Sequence, residues 1–207
     1  MRLLVATRSP DKSAEIRAIL TGAVGWTITD LDEEGLVEES EEAGLEPFPT
    51  FEENAASKAR WFAQRSGLPT VADDSGLMVD ALAGAPGVHT KRFAPEPTDL
   101  PRDQANNRYL LERLAGRPPH ERGARYVCVA AFAASPAVEP ITFRGEVAGR
   151  ILAQPAGKGG FGYDPLFQVP ELGCTFAQAS PEEKHALSHR GRAFRLLRAH
   201  LERLAPG

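Results

Sequence analysis

Leu3-Leu4-Val5-Ala6 is an unbroken apolar run, the pattern of a strand covered on both faces. Beyond it, Ser9 fits a helix N-cap, Pro10 the first helical position and Asp11 the first turn. Ile16, Ile19 and Leu20 give that helix an apolar stripe, and Gly22 predicts its end. A second helix is predicted from Thr50, with Glu53 completing a capping box. Its buried stripe is Ala55, Ala59, Phe62 and Ala63, and Gly67 and Pro69 stop it near Ser66. Asn54 and Lys58, four apart, share one of its faces. Thr70-Val71-Ala72 then reads as a buried strand that ends in a loop at Asp73-Asp74-Ser75-Gly76.

Leu77 to Leu82 is strand-like or irregular, and Gly84 to Val88 is a turn-rich loop. Thr98 or Asp99 is expected to cap a helix over Pro101 to Leu114, with Tyr109, Leu110 and Leu114 facing inward. Tyr126 to Ala134 is a central strand, and Ile141 to Val147 pairs with it across a turn bracketed by Pro136 and Pro140. Ser180-Pro181-Glu182-Glu183 is a second capping box. Gly191 predicts a break, after which Phe194, Leu197 and Leu201 carry the last helix to about Leu204.

Composition narrows the function. The chain has 207 residues, 42% hydrophobic and 25% charged, as in an ordinary globular protein. Net charge is -4, which argues against a broad basic face for nucleic acid. Asp30 to Glu46 holds nine acids, and no Lys or Arg occurs from Ala18 to Ser57, which predicts a largely solvated acidic loop. Two cysteines, Cys128 and Cys174, make no disulfide framework and fit a reduced, cytoplasmic setting. The N-terminal apolar run is too short for a signal peptide or a membrane span.

Three stretches carry candidate chemistry. Asp73 and Asp74 point to opposite sides of an extended chain, so one can face a ligand while the other anchors the loop. Paired carboxylates suit a divalent cation or proton transfer. The strand-to-helix step at Thr7-Arg8-Ser9-Pro10-Asp11-Lys12 presents helix N–H groups and a lysine to an anion, without the glycines of a P-loop. Gly157 to Asp164 contains four glycines in six residues with Phe161 and Tyr163 among them, a loop whose aromatics can stack on a flat ring. His185 and His189 have the spacing of a zinc pair but lack the accompanying glutamate, so zinc is not expected. Lys184, His189 and Arg190 form a donor cluster instead.

Five motifs in this order resemble the inosine triphosphate pyrophosphatase family. They are Thr50-Phe51-Glu52-Glu53-Asn54-Ala55 with Lys58, Ala72 to Leu77, Gly84 to Val88, Gly159 to Pro165, and Glu182-Glu183-Lys184 with Ser188 to Gly191. The resemblance spans nearly the whole chain. It implies a mixed α/β fold with a long curved central sheet flanked by helices, two lobes around an active-site cleft, one domain over residues 1–207, and a homodimer. It implies Mg2+-dependent cleavage of inosine, deoxyinosine and xanthosine triphosphates to monophosphate and pyrophosphate. It assigns Asp74 as catalytic base and metal ligand, and Ser75, Lys58 and Thr7 to Lys12 as contacts to the substrate. Phe161, Gly162, Tyr163, Asp164, Lys184, His189 and Arg190 would recognise the base. Ser9 stands where the family usually has asparagine. The family's metal-binding glutamate falls on Glu46 if counted without a gap, or on Glu42 with an insertion. A related pyrophosphatase fold acting on modified pyrimidine nucleotides, and a non-catalytic nucleotide sensor, are the alternatives.

Overall fold

The computed structural model describes residues 1–204. Seven strands form one sheet in the order β2-β1-β3-β4-β5-β6-β7. The strands are β1 (Arg2–Val5), β2 (Thr27–Asp30), β3 (Thr70–Val79), β4 (Gly123–Ala133), β5 (Ile141–Ile151), β6 (Phe167–Val169) and β7 (Cys174–Thr175). Among the described residues five α-helices accompany them: α1 (Pro10–Leu20), α2 (Phe51–Ser66), α3 (Arg102–Arg113), α4 (Pro181–Leu187) and α5 (His189–Leu204). Strand β1 runs parallel to β2 and β3, while β5, β6 and β7 are joined antiparallel. The fold is therefore mixed α/β, as expected. The described chain divides into two compact units, one of residues 1–74, 128–145 and 189–204, the other of residues 75–127 and 146–188.

In the first unit, Leu3 and Val5 of β1, Val71, Cys128, Ala130 and Phe132 meet Ile16 and Leu20 of α1 and Phe194, Leu197 and Leu201 of α5. The stripe predicted for α5 is buried, as are Ile16 and Leu20 of α1, while Ile19 is only partly so. Ser9 caps α1 by accepting from the Lys12 N–H, and Thr50 caps α2 by accepting from the Glu53 N–H. The reciprocal half of the Thr50 box is replaced, because the Thr50 hydroxyl donates to the Glu53 carboxylate at 2.6 Å. Gly67 ends α2 in the left-handed conformation, as its sequence position required.

The second unit packs Leu77, Val79, Leu110, Leu114, Tyr126, Leu166, Phe167 and Phe176 into its own core. Here α3 starts after Pro101 with no side-chain cap, so neither Thr98 nor Asp99 caps it. The box at Ser180 is complete.

Two boundaries differ from the sequence expectation. Strand β3 does not end at Asp73-Asp74 but runs on to Val79, with Ser75, Gly76 and Leu77 buried in it. These polar residues, a loop signal by type, are instead interior strand positions whose carboxylates find partners on the helices. The break before the last helix falls at Ser188, whose backbone is extended (φ -64°, ψ 158°), and Gly191 lies inside α5. Gly145 of β5 lies beneath this first turn. A Cβ there would strike the His189 carbonyl and come within 2.5 Å of the Ala193 nitrogen. Gly145→Ala should therefore cost about 1–3 kcal/mol, read as a lower urea midpoint. An unchanged midpoint would show that α5 yields freely.

Candidate active site

Strand β1 stops at Val5, opposite Val71 of β3, and the Ala6 N–H still donates to the Val71 carbonyl at 2.8 Å. Beyond that point the β1–β3 register ends, and Asp73 and Asp74 follow directly on β3. Alternation sends their side chains opposite ways. Asp73 Oδ2 accepts from Lys12 Nζ on α1 at 2.9 Å and from the Arg190 guanidinium on α5 at 3.5 Å. Asp74 Oδ2 accepts from Asn54 Nδ2 on α2 at 3.1 Å. Both carboxylates are buried, at 2% and 6% exposure.

Their environments drive the two apart. Burial pushes Asp73 up, but Lys12, Arg190 and Lys58 outweigh it and hold the carboxyl well below the usual range. Burial dominates at Asp74 and raises it, and the neighbouring Glu46 charge adds to the rise against Lys58 and Lys12. Adjacent carboxylates with opposite shifts are the signature of divided roles. Asp73 is held charged by its three cations, whereas burial lets Asp74 keep a proton more readily than an ordinary carboxyl.

Lys58 sits between Glu46 and the chain of β3. Its ammonium bonds the Glu46 carboxylate and the Asp73 carbonyl. Burial would lower its pKa, but Asp74, Glu46 and Asp73 together raise it, so it stays charged. Glu42 is turned elsewhere. It makes a two-pronged pair with Arg8, at 2.9 and 2.6 Å, and Arg8 also donates to the Leu36 carbonyl. Of the two glutamates proposed for a metal, Glu46 is the one whose charge reaches Asp74.

The segment from Thr7 to Lys12 separates accordingly. Arg8 anchors the acidic segment, Ser9 is the cap, Pro10 and Asp11 are exposed, and Lys12 is buried on Asp73. The acidic segment stays at the surface, with none of its nine acids buried, but several are paired. Arg17 pairs with Asp30 and Glu33, Arg2 with Glu34, Arg65 with Glu39 and Lys58 with Glu46. Arginines and a lysine from outside the segment supply the cations that it lacks.

In the second unit, the glycine-rich loop closes on Asp164. Its Oδ2 accepts from the Phe161 N–H at 3.0 Å and from Lys184 Nζ at 2.6 Å. Lys184 Nζ lies 4.6 Å from the Phe161 ring centre. A Cβ on Gly160, at φ +68°, would collide with the Asp164 carboxylate, so this closure needs glycine. Tyr163 is buried and its hydroxyl donates to the Thr90 carbonyl at 2.8 Å, which makes it an anchor. Gly162 is gripped by α3: its N–H donates to Asp103 at 2.7 Å, and its carbonyl accepts from Asn107 at 2.9 Å. Ser75 is buried in β3.

His189 and Arg190 belong to the first unit. Both are buried, and Arg190, only 1% exposed, pairs with Glu15 and Asp73. The guanidinium of Arg190, which the resemblance groups with the base-reading residues, pairs with Asp73. Glu15, Asn54, Asp103 and Asn107 take part in these clusters without having been singled out for them. Only Asn54 gave a signal, through its shared helix face with Lys58. Among the described residues, no three His, Cys, Asp or Glu side chains assemble into a ready-made metal cage. None of the described helices is long and apolar enough to cross a membrane.

Fold and site together define a mixed α/β protein with a buried carboxylate–lysine cluster on a sheet edge and a glycine-hinged aromatic loop. The chain belongs to the Ham1 family, which matches residues 3–200. A protein of Geobacter sulfurreducens named dITP/XTP pyrophosphatase is 49% identical over 200 residues, covering 97% of this chain and 96% of that one. Among solved structures, a HAM1 protein from Coxiella burnetii matches with TM-score 0.84 at 35% identity, over 98% of this chain and 99% of that chain. A nucleoside-triphosphatase / dITP/XTP pyrophosphatase from Mycobacterium abscessus matches with TM-score 0.71 at 41% identity, over 95% and 98%.

Proposed function

We propose that the chain is a hydrolase that cleaves non-canonical purine nucleoside triphosphates, namely inosine, deoxyinosine and xanthosine triphosphates, to the monophosphate and pyrophosphate. The observation that carries this reading is the divided carboxylate pair beside Lys12 and Lys58, in a chain nearly half identical to a dITP/XTP pyrophosphatase over almost its full length. A sensor that only binds has no need of such a pair.

Glu46 and Asp74 fit Mg2+, a hard cation that takes one or two carboxylates and leaves its remaining positions to water and phosphate oxygen. The Glu46 charge already acts on Asp74. When bound, the cation screens phosphate charge and acidifies water. Lys12, Lys58 and the α1 N-terminus hold the phosphate tail by charge and N–H donation. Asp74 takes the proton of the attacking water at its carboxylate, and pyrophosphate leaves the α-phosphorus. Asp73 keeps Lys12 and Arg190 in place and takes no proton.

Base choice falls to the second unit. Lys184, steadied by Asp164, donates to the 6-keto oxygen of hypoxanthine or xanthine, and Phe161 stacks on the ring. An adenine amino group would leave that donor unpaired, at roughly 1–3 kcal/mol. Arg190 we assign to Asp73 in place of the base. Lys184→Met should then lower kcat/KM for inosine triphosphate by about 10-fold or more and leave the small ATP rate nearly unchanged. Equal losses on both would remove Lys184 from base selection. The deciding experiment is pyrophosphate release from ATP, GTP, ITP and XTP, with Mg2+ and with chelator. Selective, Mg2+-dependent release from ITP and XTP supports the reading, and binding without release refutes it. We assign the protein a cytoplasmic setting and a homodimeric state, tested by fractionation and sedimentation.

A further inference from the structure

Asn54 lies in the first turn of α2 and is fully buried. Its carboxamide makes three hydrogen bonds at once. Oδ1 accepts from the Phe48 N–H at 2.9 Å, and Nδ2 donates to the Phe48 carbonyl at 3.1 Å and to Asp74 Oδ2 at 3.1 Å. One flat group thus holds both peptide groups of a residue two positions after Glu46, and the carboxylate of Asp74 as well. Glu46 sits on an irregular segment, with no strand or helix from Leu45 to Thr50 to fix it. Lys58, one turn further along α2, bonds the Glu46 carboxylate itself. Helix α2 therefore holds the Glu46 segment twice, by its backbone through Asn54 and by its side chain through Lys58.

We propose that Asn54 is a positioning residue for the divalent cation: by joining the Phe48 backbone to Asp74 it sets the spacing between the Glu46 and Asp74 carboxylates. The inference rests on the Mg2+ reading above and extends it. The requirement is chemical. Only a side-chain amide offers an acceptor and two donor hydrogens in one plane, as an N–H, a C=O and a carboxylate demand together. Aspartate at this position would set a second anion against Asp74. Leucine has the same bulk and none of the bonds. Mg2+ tolerates little departure from octahedral geometry, so a small drift of either carboxylate weakens it.

The test uses the full chain without nucleotide and Mn2+ as the probe, its free form followed by electron paramagnetic resonance. Wild type should bind Mn2+, and Asn54→Leu should weaken binding at least 10-fold. In turnover, the Mg2+ concentration for half-maximal rate should rise by a similar factor, with KM for inosine triphosphate at saturating Mg2+ within about twofold of wild type. A purely structural role would lower the melting temperature and leave the Mn2+ affinity alone. Wild-type affinity in a folded Asn54→Leu protein overturns the inference and leaves the Mg2+ reading standing. If wild type itself binds no Mn2+ while Glu46→Gln turns over normally, the Mg2+ reading falls and the inference with it. Should Asn54→Leu fail to fold, Asn54→Ser keeps one polar group against Phe48 and should weaken Mn2+ at least threefold; unchanged affinity there overturns the inference equally.

Discussion

Asp74→Asn is expected to lower pyrophosphate release from inosine triphosphate by roughly 10^2–10^4-fold, the usual contribution of a positioned general base. The substitution isolates chemistry from folding. The asparagine oxygen can still accept from Asn54 Nδ2, the bond that orients Asp74 in the native protein. The position loses its charge and nothing of its shape. Burial already raises the native carboxyl, so a neutral group is tolerated there better than at Asp73. The melting temperature should stay near that of wild type. The check is a parallel measurement of turnover at saturating Mg2+ and of thermal unfolding. Near-normal turnover in a folded Asp74→Asn protein would take the proton-accepting role away from this residue.

The fold could be read from the sequence wherever a local rule acts alone. Ser9, Thr50 and Ser180 cap their helices because a hydroxyl at such a place satisfies free N–H groups regardless of distant structure. The failures lie where distant residues decide. Asp73, Asp74 and Ser75 look like a turn in isolation, and β3 passes through them because Lys12, Arg190 and Asn54 arrive from three helices. Arg190 follows the same logic. Its neighbours in sequence mark a polar helix start, and nothing local tells that Glu15, 175 residues earlier, meets it. Gly191 predicts a break because glycine is a poor helix former, yet it lies inside α5 and the chain turns at Ser188 instead. The candidate site was legible in its residue types, since carboxylates, lysines and a glycine-rich aromatic loop each imply their chemistry. Which partner each residue holds was not.

Asp73→Asn should destabilise the protein by roughly 3–5 kcal/mol, because removing one member of a buried ion group leaves its partners uncompensated. Lys12 and Arg190 are 4% and 1% exposed, so water cannot replace the lost carboxylate. Glu15 still faces Arg190 after the change, which leaves Lys12 as the more stranded cation. Arg190→Met removes charge of the opposite sign, since Glu15 then loses the Arg190 guanidinium and Asp73 keeps Lys12. The two substitutions together remove an anion and a cation from one network. Their combined cost should fall short of the sum of the singles by about 0.5–3 kcal/mol, the coupling expected of residues in direct contact. Urea unfolding of wild type, both singles and the double variant gives the four energies needed. Simple additivity, or a loss under 1 kcal/mol for Asp73→Asn, would mean that Asp73 does not hold the two cations. Lys12 and Arg190 would then have to be steadied by other groups, and the division of labour between Asp73 as fixed anion and Asp74 as base would lose its structural half.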